Sequence, residues 1–300
     1  MVFVFTAVTS PFVVLFGPFN NVKRAVIGAI LQSRHPQYIT WLFSNDELQS
    51  ILGTVGVVKS QDLFKFNARE DKDLKLEKIE SSRYVGYVLE IPDPRRIQVA
   101  TAANIQEKGD TTSNIAKMNG AVAAINGGGF HDPNGTGTGR LPYGFILHEG
   151  DYIIGKDVGP DESVDFVGFS KSGNLIAGNY DKTELADMKA MEGITFGPPL
   201  IVDGKKMITD GDGGWGVGPR TAIGQRKDGT VLFVVIDGRQ PGYSLGATLR
   251  DVQDVLYEKG AYIAANLDGG SSSTLYLNGK VVNKPADLLG ERMIPTAFIV

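Results

Sequence analysis

The chain has no cysteine and only three histidines. The first absence excludes disulfide frameworks, thiolate nucleophiles and zinc or iron–sulfur sites built on sulfur. The second leaves His35, His131 and His148, no two of them four residues apart, so a helical histidine pair for a metal is excluded too. Neither a metal nor an organic cofactor is expected. An excess of positive charge is also missing: the formal net charge is -4, and without a basic face nucleic acid is not an expected partner. A 300-residue chain without bridges fits a bacterial exported protein better than a small secreted eukaryotic domain.

Charge is absent altogether from residues 1–22, and Met1 to Phe19 is almost wholly apolar. About 20 apolar residues in a helix cross a hydrocarbon core, so residues 1–22 are read as a membrane anchor. The remainder of the chain is then expected outside the cytoplasm, at the cell surface. Lys23, Arg24 and Arg34 follow the apolar run, which on the positive-inside rule is the wrong side for that orientation. A short basic lead ahead of Met1 is therefore expected.

What the chain has in excess is glycine, 38 of 300 residues, nearly twice the usual ~7%. Residues 23–65 read as a membrane-proximal helical stalk, with Ser44 and Glu47 in capping-box spacing and Gly53 as a stop. A charged stretch from Lys65 to Glu80 joins it to the main domain, taken as 66–300. From Arg83 onward short β-type runs are separated by Glu149-Gly150, Ser172-Gly173, Asp203-Gly204, Asp228-Gly229 and Asn278-Gly279. Such pairs supply the positive φ angles of tight hairpins. Two helices interrupt them, one near 111–119 and one after Thr248, which with Asp251 forms a cap and ends at Gly260. The fold class expected is α+β, mainly antiparallel sheet with a few helices.

Four glycine-bearing loops follow the apolar runs. They are Asn126-Gly127-Gly128-Gly129-Phe130-His131, Gly218-Pro219-Arg220-Thr221-Ala222, Asp237-Gly238-Arg239, and Asn266-Leu267-Asp268-Gly269-Gly270-Ser271-Ser272-Ser273-Thr274. Any one alone is more often a turn than a site. Together they place carboxylates, guanidinium groups, amides and hydroxyls at strand ends, where a rigid scaffold aims them into one cleft. The set suits a phosphorylated sugar: arginine presents a planar fork to phosphate oxygens, glycine-rich turns expose N–H groups, and carboxylates act at an anomeric carbon.

In that order the four loops resemble the phosphodiester glycosidase family, over roughly residues 83–300. Bacterial members are often described as exopolysaccharide-related. The resemblance implies hydrolysis of a sugar-1-phosphodiester in a cell-surface or extracellular phosphoglycan. It draws catalytic residues from Asp268, Asp237 and Arg220. Substrate contacts come from Asn126, Gly127, Gly128, His131, Arg239, Asn266, Gly269, Gly270, Ser271, Ser272 and Thr274. Ser271 stands where the family pattern has glycine, so the sugar does not transfer. Two other readings of the same cleft stay open: a glycan-binding module without turnover, and a hydrolase or transferase acting on a non-phosphorylated glycoside.

Several motifs carry no function. Gly242-Tyr243-Ser244-Leu245-Gly246 matches a nucleophile elbow, but no histidine follows Ser244 to complete that triad. Gly211 to Gly216 fits a dinucleotide string, yet a β-type run follows it where a helix is needed. Asp210 and Asp212 begin a calcium-loop pattern whose third ligand and terminal glutamate are missing. His131 is either a site group or a polar loop residue, and Trp215 and Tyr243 either stack on a sugar or pack. Asp268 has a structural alternative as well, capping its own Gly-Gly-Ser turn.

Overall fold

The computed structural model describes residues 12–31, 37–44, 47, 48, 51, 58–60, 63–67, 69–132, 137–156, 158–287 and 289–300. Among these, seventeen strands form three antiparallel sheets. The seven-stranded sheet runs β1 (Lys75–Glu80), β2 (Val85–Ile91), β13 (Val231–Ile236), β12 (Arg220–Arg226), β14 (Ala261–Leu267), β10 (Pro199–Val202), β11 (Lys205–Lys206). A five-stranded sheet runs β16 (Lys280–Val281), β15 (Leu275–Leu277), β4 (Ala123–Asn126), β17 (Thr296–Ile299), β3 (Gln98–Thr101). A second runs β6 (Asp151–Ile154), β5 (Ile146–His148), β9 (Ala190–Thr195), β7 (Val164–Ser170), β8 (Leu175–Tyr180).

Strand character follows from side-chain alternation. In β13, an unbroken apolar run, Val231, Phe233 and Val235 enter a core shared by all three sheets. Leu232, Val234 and Ile236 enter a second core on the opposite face. Both faces are covered, so the strand has no polar positions. β1 is the opposite case: Lys75, Glu77, Lys78 and Glu80 leave it charged at the sheet edge, where charge discourages further pairing.

Each sheet turns one face to the shared core, and a helix closes the other. Helix α1 (Asn20–Leu31) lies outside that scheme, in the N-terminal unit. Ile115 and Ala116 of α2 (Thr112–Met118) cover the sheet containing β4, Leu185 of α3 (Lys182–Asp187) covers the sheet containing β7, and Leu249, Val252 and Leu256 of α4 (Leu249–Glu258) cover the seven-stranded sheet. Thr111 caps α2, and Thr248 with Asp251 forms a capping box on α4. All five dipeptides read as turns join paired strands or their hairpin ends. Glu149, Asp203 and Asn278 hold φ near +50°, each followed by a left-handed glycine, and Ser172-Gly173 and Asp228-Gly229 close the β7–β8 and β12–β13 hairpins.

The apolar run read as an anchor lies partly on residues 1–11, outside the described residues, as does Gly53. Among the described residues no helix is long and apolar enough to cross a membrane. α1 packs Ile27 against Leu15, Ile39, Phe43 and Leu48, and Glu47 accepts from Ser44 N–H at 2.8 Å as the capping pattern requires. The N-terminal unit also touches the main domain: Arg24 lies 3.7 Å from Asp210, and Gly28 abuts the Gly214 carbonyl.

The stretch around residue 60, placed in the stalk from sequence, is built into the main domain. Lys59 bridges to Gly178 and pairs with Glu184. Ser60 donates to Asp203 at 2.8 Å and its carbonyl accepts from Tyr180, while Leu63 and Phe64 join the cores. Polar residues around these few apolar ones hide the packing from a composition-based boundary.

Candidate functional site

The site forms where β4 of one sheet meets β12 and β14 of the seven-stranded sheet. Asn126, at the end of β4 and fully buried, is the joint. Its Oδ1 accepts from Thr221 Oγ1 at 2.8 Å and Thr274 N–H at 3.1 Å, and its Nδ2 donates to the Asp268 carbonyl at 2.5 Å. The Asp268 N–H in turn donates to the Gly127 carbonyl at 3.1 Å. The peptide of Asp268 is thus held on both sides, and its side chain is aimed by the backbone. Asn126 and Thr274 therefore position the site from beneath.

Asp268 is half-buried as a residue, and the desolvation of its densely surrounded carboxyl pushes its pKa up to about 6. The Ser272 hydroxyl beside it, Arg292, the Gly269 N–H and Arg239 pull the other way. Ser272 Oγ is near enough to favour the ionised form without meeting full hydrogen-bond geometry. A carboxyl titrating near 6 can exchange a proton at neutral pH, as acid/base chemistry requires. Tyr143 stands close by. Burial raises its pKa, and the Asp268 charge adds to the effect. His131 packs edge-on to Tyr143, ring centroids 4.5 Å apart. Gly129 must be glycine here, since a Cβ would lie 2.6–2.8 Å from the Phe196 and Tyr143 rings.

Gly127 and Gly128 dock on β17, their N–H groups donating to the Thr296 carbonyl at 2.8 Å and Thr296 Oγ1 at 3.0 Å. Those N–H groups are spent on the scaffold. On the other side of Asp268 the short 3-10 turn Gly270–Ser272 follows. Gly269 and Gly270 lie under two guanidinium groups: a Cβ on Gly270 would stand 3.4 Å from Nη1 and Nη2 of Arg239, and one on Gly269 would stand 3.8 Å from Nη1 of Arg220. Gly270 has φ +61° and Arg239 φ +59°. The latter is an uncommon conformation for a side-chain-bearing residue, and such strain concentrates at functional sites. Ser271 is half-buried at the tip of the turn.

Arg220 differs from Arg239. It is buried, and Nε donates to the Ala247 carbonyl at 3.0 Å while Nη2 donates to Trp215 and Gly216 carbonyls at 2.8 and 2.6 Å. Burial, with Arg239 as a like charge, lowers its pKa to about 10. Three donors hold the 215–216 and 247 loops, and Nη1 is left on the Gly269 side. Sequence gave no sign of this, because arginine that binds carbonyls and arginine that binds phosphate look alike. Trp215 packs on Phe196 at 6.0 Å and on the Arg220 guanidinium at 5.9 Å.

Asp237 is also structural in its contacts. Oδ1 accepts from Asn283 Nδ2 at 2.9 Å and Lys284 N–H at 3.0 Å, Oδ2 from Tyr243 at 3.0 Å. Burial raises its pKa against these bonds. Ser244 Oγ donates to the Asp237 carbonyl at 2.6 Å and accepts from Val85 N–H at 3.1 Å, a buried brace between loops. Asn266 Nδ2 donates to the Gly197 carbonyl at 3.0 Å, and its buried Oδ1 has no partner among the described residues. His148 sits apart, 3.0 Å from Glu192. Asp212 caps Gly214 N–H at 2.8 Å. Among the described residues no group of three acidic or histidine side chains is placed to hold a metal ion. The residues that sequence reasoning missed are Tyr143 and Arg292, isolated in loops without repeat or motif.

The model of the phosphodiester glycosidase family matches residues 119–300. A prophage-derived protein of Bacillus subtilis, YomE, is 32% identical over 197 residues, covering 63% of this chain and 29% of that protein. The bovine N-acetylglucosamine-1-phosphodiester alpha-N-acetylglucosaminidase is 25% identical over 203 residues, covering 61% and 36%. The chain thus spans only about a third of the length of these relatives. In fold it is similar to the zebrafish N-acetylglucosamine-1-phosphodiester alpha-N-acetylglucosaminidase catalytic domain, with a TM-score of 0.65 at 21% identity over 81% of this chain and 88% of that one. A Synechocystis protein follows at TM-score 0.55, 16% identity, 76% and 62%.

Proposed function

The chain belongs to the phosphodiester glycosidase family, and from that premise we propose that it hydrolyses sugar-1-phosphodiester bonds in phosphorylated glycans. The observation carrying this reading is that the Gly269–Gly270 turn following the Asp268 carboxyl lies against the guanidinium groups of Arg220 and Arg239. Water attacks the anomeric carbon, its proton passes to the Asp268 carboxylate, and the C1–O bond breaks with its electron pair leaving on the phosphate oxygen. Arg239 and Nη1 of Arg220 face the position where that charge gathers, and fixed cations there favour departure. Tyr143 and His131 form the opposite wall. Asp237 and Asn126 keep the loops in register.

A panel of sugar-1-phosphodiesters, incubated with the protein and read by NMR for free sugar and phosphate monoester, tests the reading. Release of both products supports it. Release of sugar only from neutral glycosides would replace it with ordinary glycoside hydrolysis, and binding without release would replace it with a glycan-binding module.

The location proposed is extracytoplasmic, with the main domain at the cell surface and residues 1–22 holding it to the membrane. The uncharged start supports this, as does a substrate class common in surface polymers. Fractionation of expressing cells, with protease added from outside, checks it. Recovery in the soluble cytoplasmic fraction without detergent would reject it.

A further inference from the structure

The sequence offers Trp215 and Tyr243 as rings on which a sugar could lie, but in the structure each already has a cation on it. Lys284 Nζ stands 4.0 Å from the centroid of the Tyr243 ring. The Arg220 guanidinium stands 5.9 Å from that of Trp215, and Phe196 packs edge-on to the same indole at 6.0 Å. Tyr143 is different. It is 40% exposed, and backbone bonds build it into the wall of the cleft. Its N–H donates to the Gly129 carbonyl at 3.0 Å, His131 N–H donates to the Leu141 carbonyl at 2.9 Å, and two residues before Gly129 the Gly127 carbonyl accepts the Asp268 N–H. With the Phe130–Pro142 bridge, these bonds fix residues 141–143 in register beside the loop that holds Asp268. The phenol is within reach of the Asp268 charge, so the exposed ring borders the space in front of that carboxyl. His131, edge-on at 4.5 Å, and the bare Gly129 backbone hold the ring in place, a Cβ on Gly129 being 2.7–2.8 Å from its carbons. A ring that is both held and exposed is a platform, whose negative π face takes C–H groups as water leaves it.

We infer that Tyr143 is the specificity residue for the sugar: its ring receives the C–H face of the pyranose whose anomeric carbon lies at Asp268, on the side of the carboxyl away from Arg239 and Arg220. This rests on the phosphodiester reading above and deepens it, dividing the cleft into a phosphate half built of guanidinium groups and a sugar half built on an aromatic ring. A pyranose presents C–H bonds on a ring face and hydroxyls at its rim, so an aromatic surface favours it over an acyclic polyol phosphate of the same charge. The ring does this without its hydroxyl, which separates the role from proton transfer.

Calorimetric binding tests it on the wild type, Tyr143→Ala and Tyr143→Phe, each checked by melting curve. The probes are the 1-phosphates of N-acetylglucosamine, glucose, galactose and mannose, and glycerol 1-phosphate, which carries the same charge without a ring. Wild type should bind at least one sugar 1-phosphate about fivefold or more tighter than glycerol 1-phosphate. Tyr143→Ala should bring that ratio down to about twofold or less while leaving the affinity for glycerol 1-phosphate unchanged, and Tyr143→Phe should keep the ratio. In proton NMR the sugar ring C–H signals should shift upfield on binding to wild type and to Tyr143→Phe but not to Tyr143→Ala, a signature that a merely structural residue would not give. If Tyr143→Ala keeps the preference for the sugar or weakens every probe alike, or if Tyr143→Phe loses as much as Tyr143→Ala, the ring is no platform and the inference falls alone. Equal binding of all five probes by wild type also overturns it alone. If wild type binds none of the five, this inference and the phosphodiester reading fall together.

Discussion

Asp268 carries two opposed demands, since the fold that aims its carboxyl also strips water from it. With the folded pKa raised to about 6, the folded state binds more protons than the unfolded state between about pH 4 and 6, so this group's contribution to stability declines as pH rises through that window. Asp268→Asn should therefore melt higher than wild type above pH 6, by up to roughly 1–3 kcal/mol, with the difference vanishing below about pH 4. Its turnover should fall ~100-fold or more. In wild type, kcat/KM should rise through an apparent pKa near 6 and level off above it; a fall over that range would make Asp268 an acid and not a base. Ser244→Ala removes a buried brace and should cost ~1–3 kcal/mol in urea titration while turnover stays within a few-fold. A thousandfold loss of turnover with an intact fold would restore the nucleophile motif. At this scale Asp268, Arg239 and the glycines were legible as motif residues. Arg292 and Tyr143 were not, because nothing in one strand or turn marks a residue whose partner lies over a hundred positions away.

Elements were the most readable level, because their causes are local. Glu149-Gly150, Asp203-Gly204 and Asn278-Gly279 turn where they do since only glycine and a few tolerant residues take paired positive φ values. The Thr248–Asp251 box starts α4 for reasons contained in four residues. What joins elements was hidden. Asn126 ties β4 to β12 and to the loops around Asp268 and Thr274, whereas its place ahead of Gly127-Gly128-Gly129 in sequence marks it only as a candidate substrate contact. Asn126→Ala leaves Thr221 Oγ1 and Thr274 N–H without their acceptor, so it should cost ~2–4 kcal/mol by urea titration and lower turnover by releasing the Asp268 peptide. Asn126→Asp, which restores the acceptor but not the donor, should recover most of the stability and little of the turnover. Equal recovery of both would show that the link to the Asp268 carbonyl is not what sets the geometry.

At the scale of the whole molecule, three sheets share one core, and the site sits where two of them meet, so the catalytic geometry depends on how the sheets pack. The chain before β1 belongs to that packing through Ser60, Leu63 and Phe64, a dependence that charge and composition concealed. A chain beginning at residue 70 should accordingly melt several degrees below one beginning at residue 58, since the partly buried Leu63 and Phe64 are each worth a fraction of the ~1.5–3 kcal/mol of full burial; equal melting temperatures would return that stretch to the stalk. In the proposed function this architecture gathers cations around a proton-accepting carboxyl to release a sugar from phosphate. The most direct test is the ratio of kcat/KM for a sugar-1-phosphodiester to that for a neutral glycoside of the same sugar, in wild type and in Asp268→Asn. The ratio should be large in wild type, at least ~100-fold, with turnover of the phosphodiester nearly abolished by Asp268→Asn. A ratio near one, or an Asp268→Asn variant that cleaves the phosphodiester at the wild-type rate, would contradict the account.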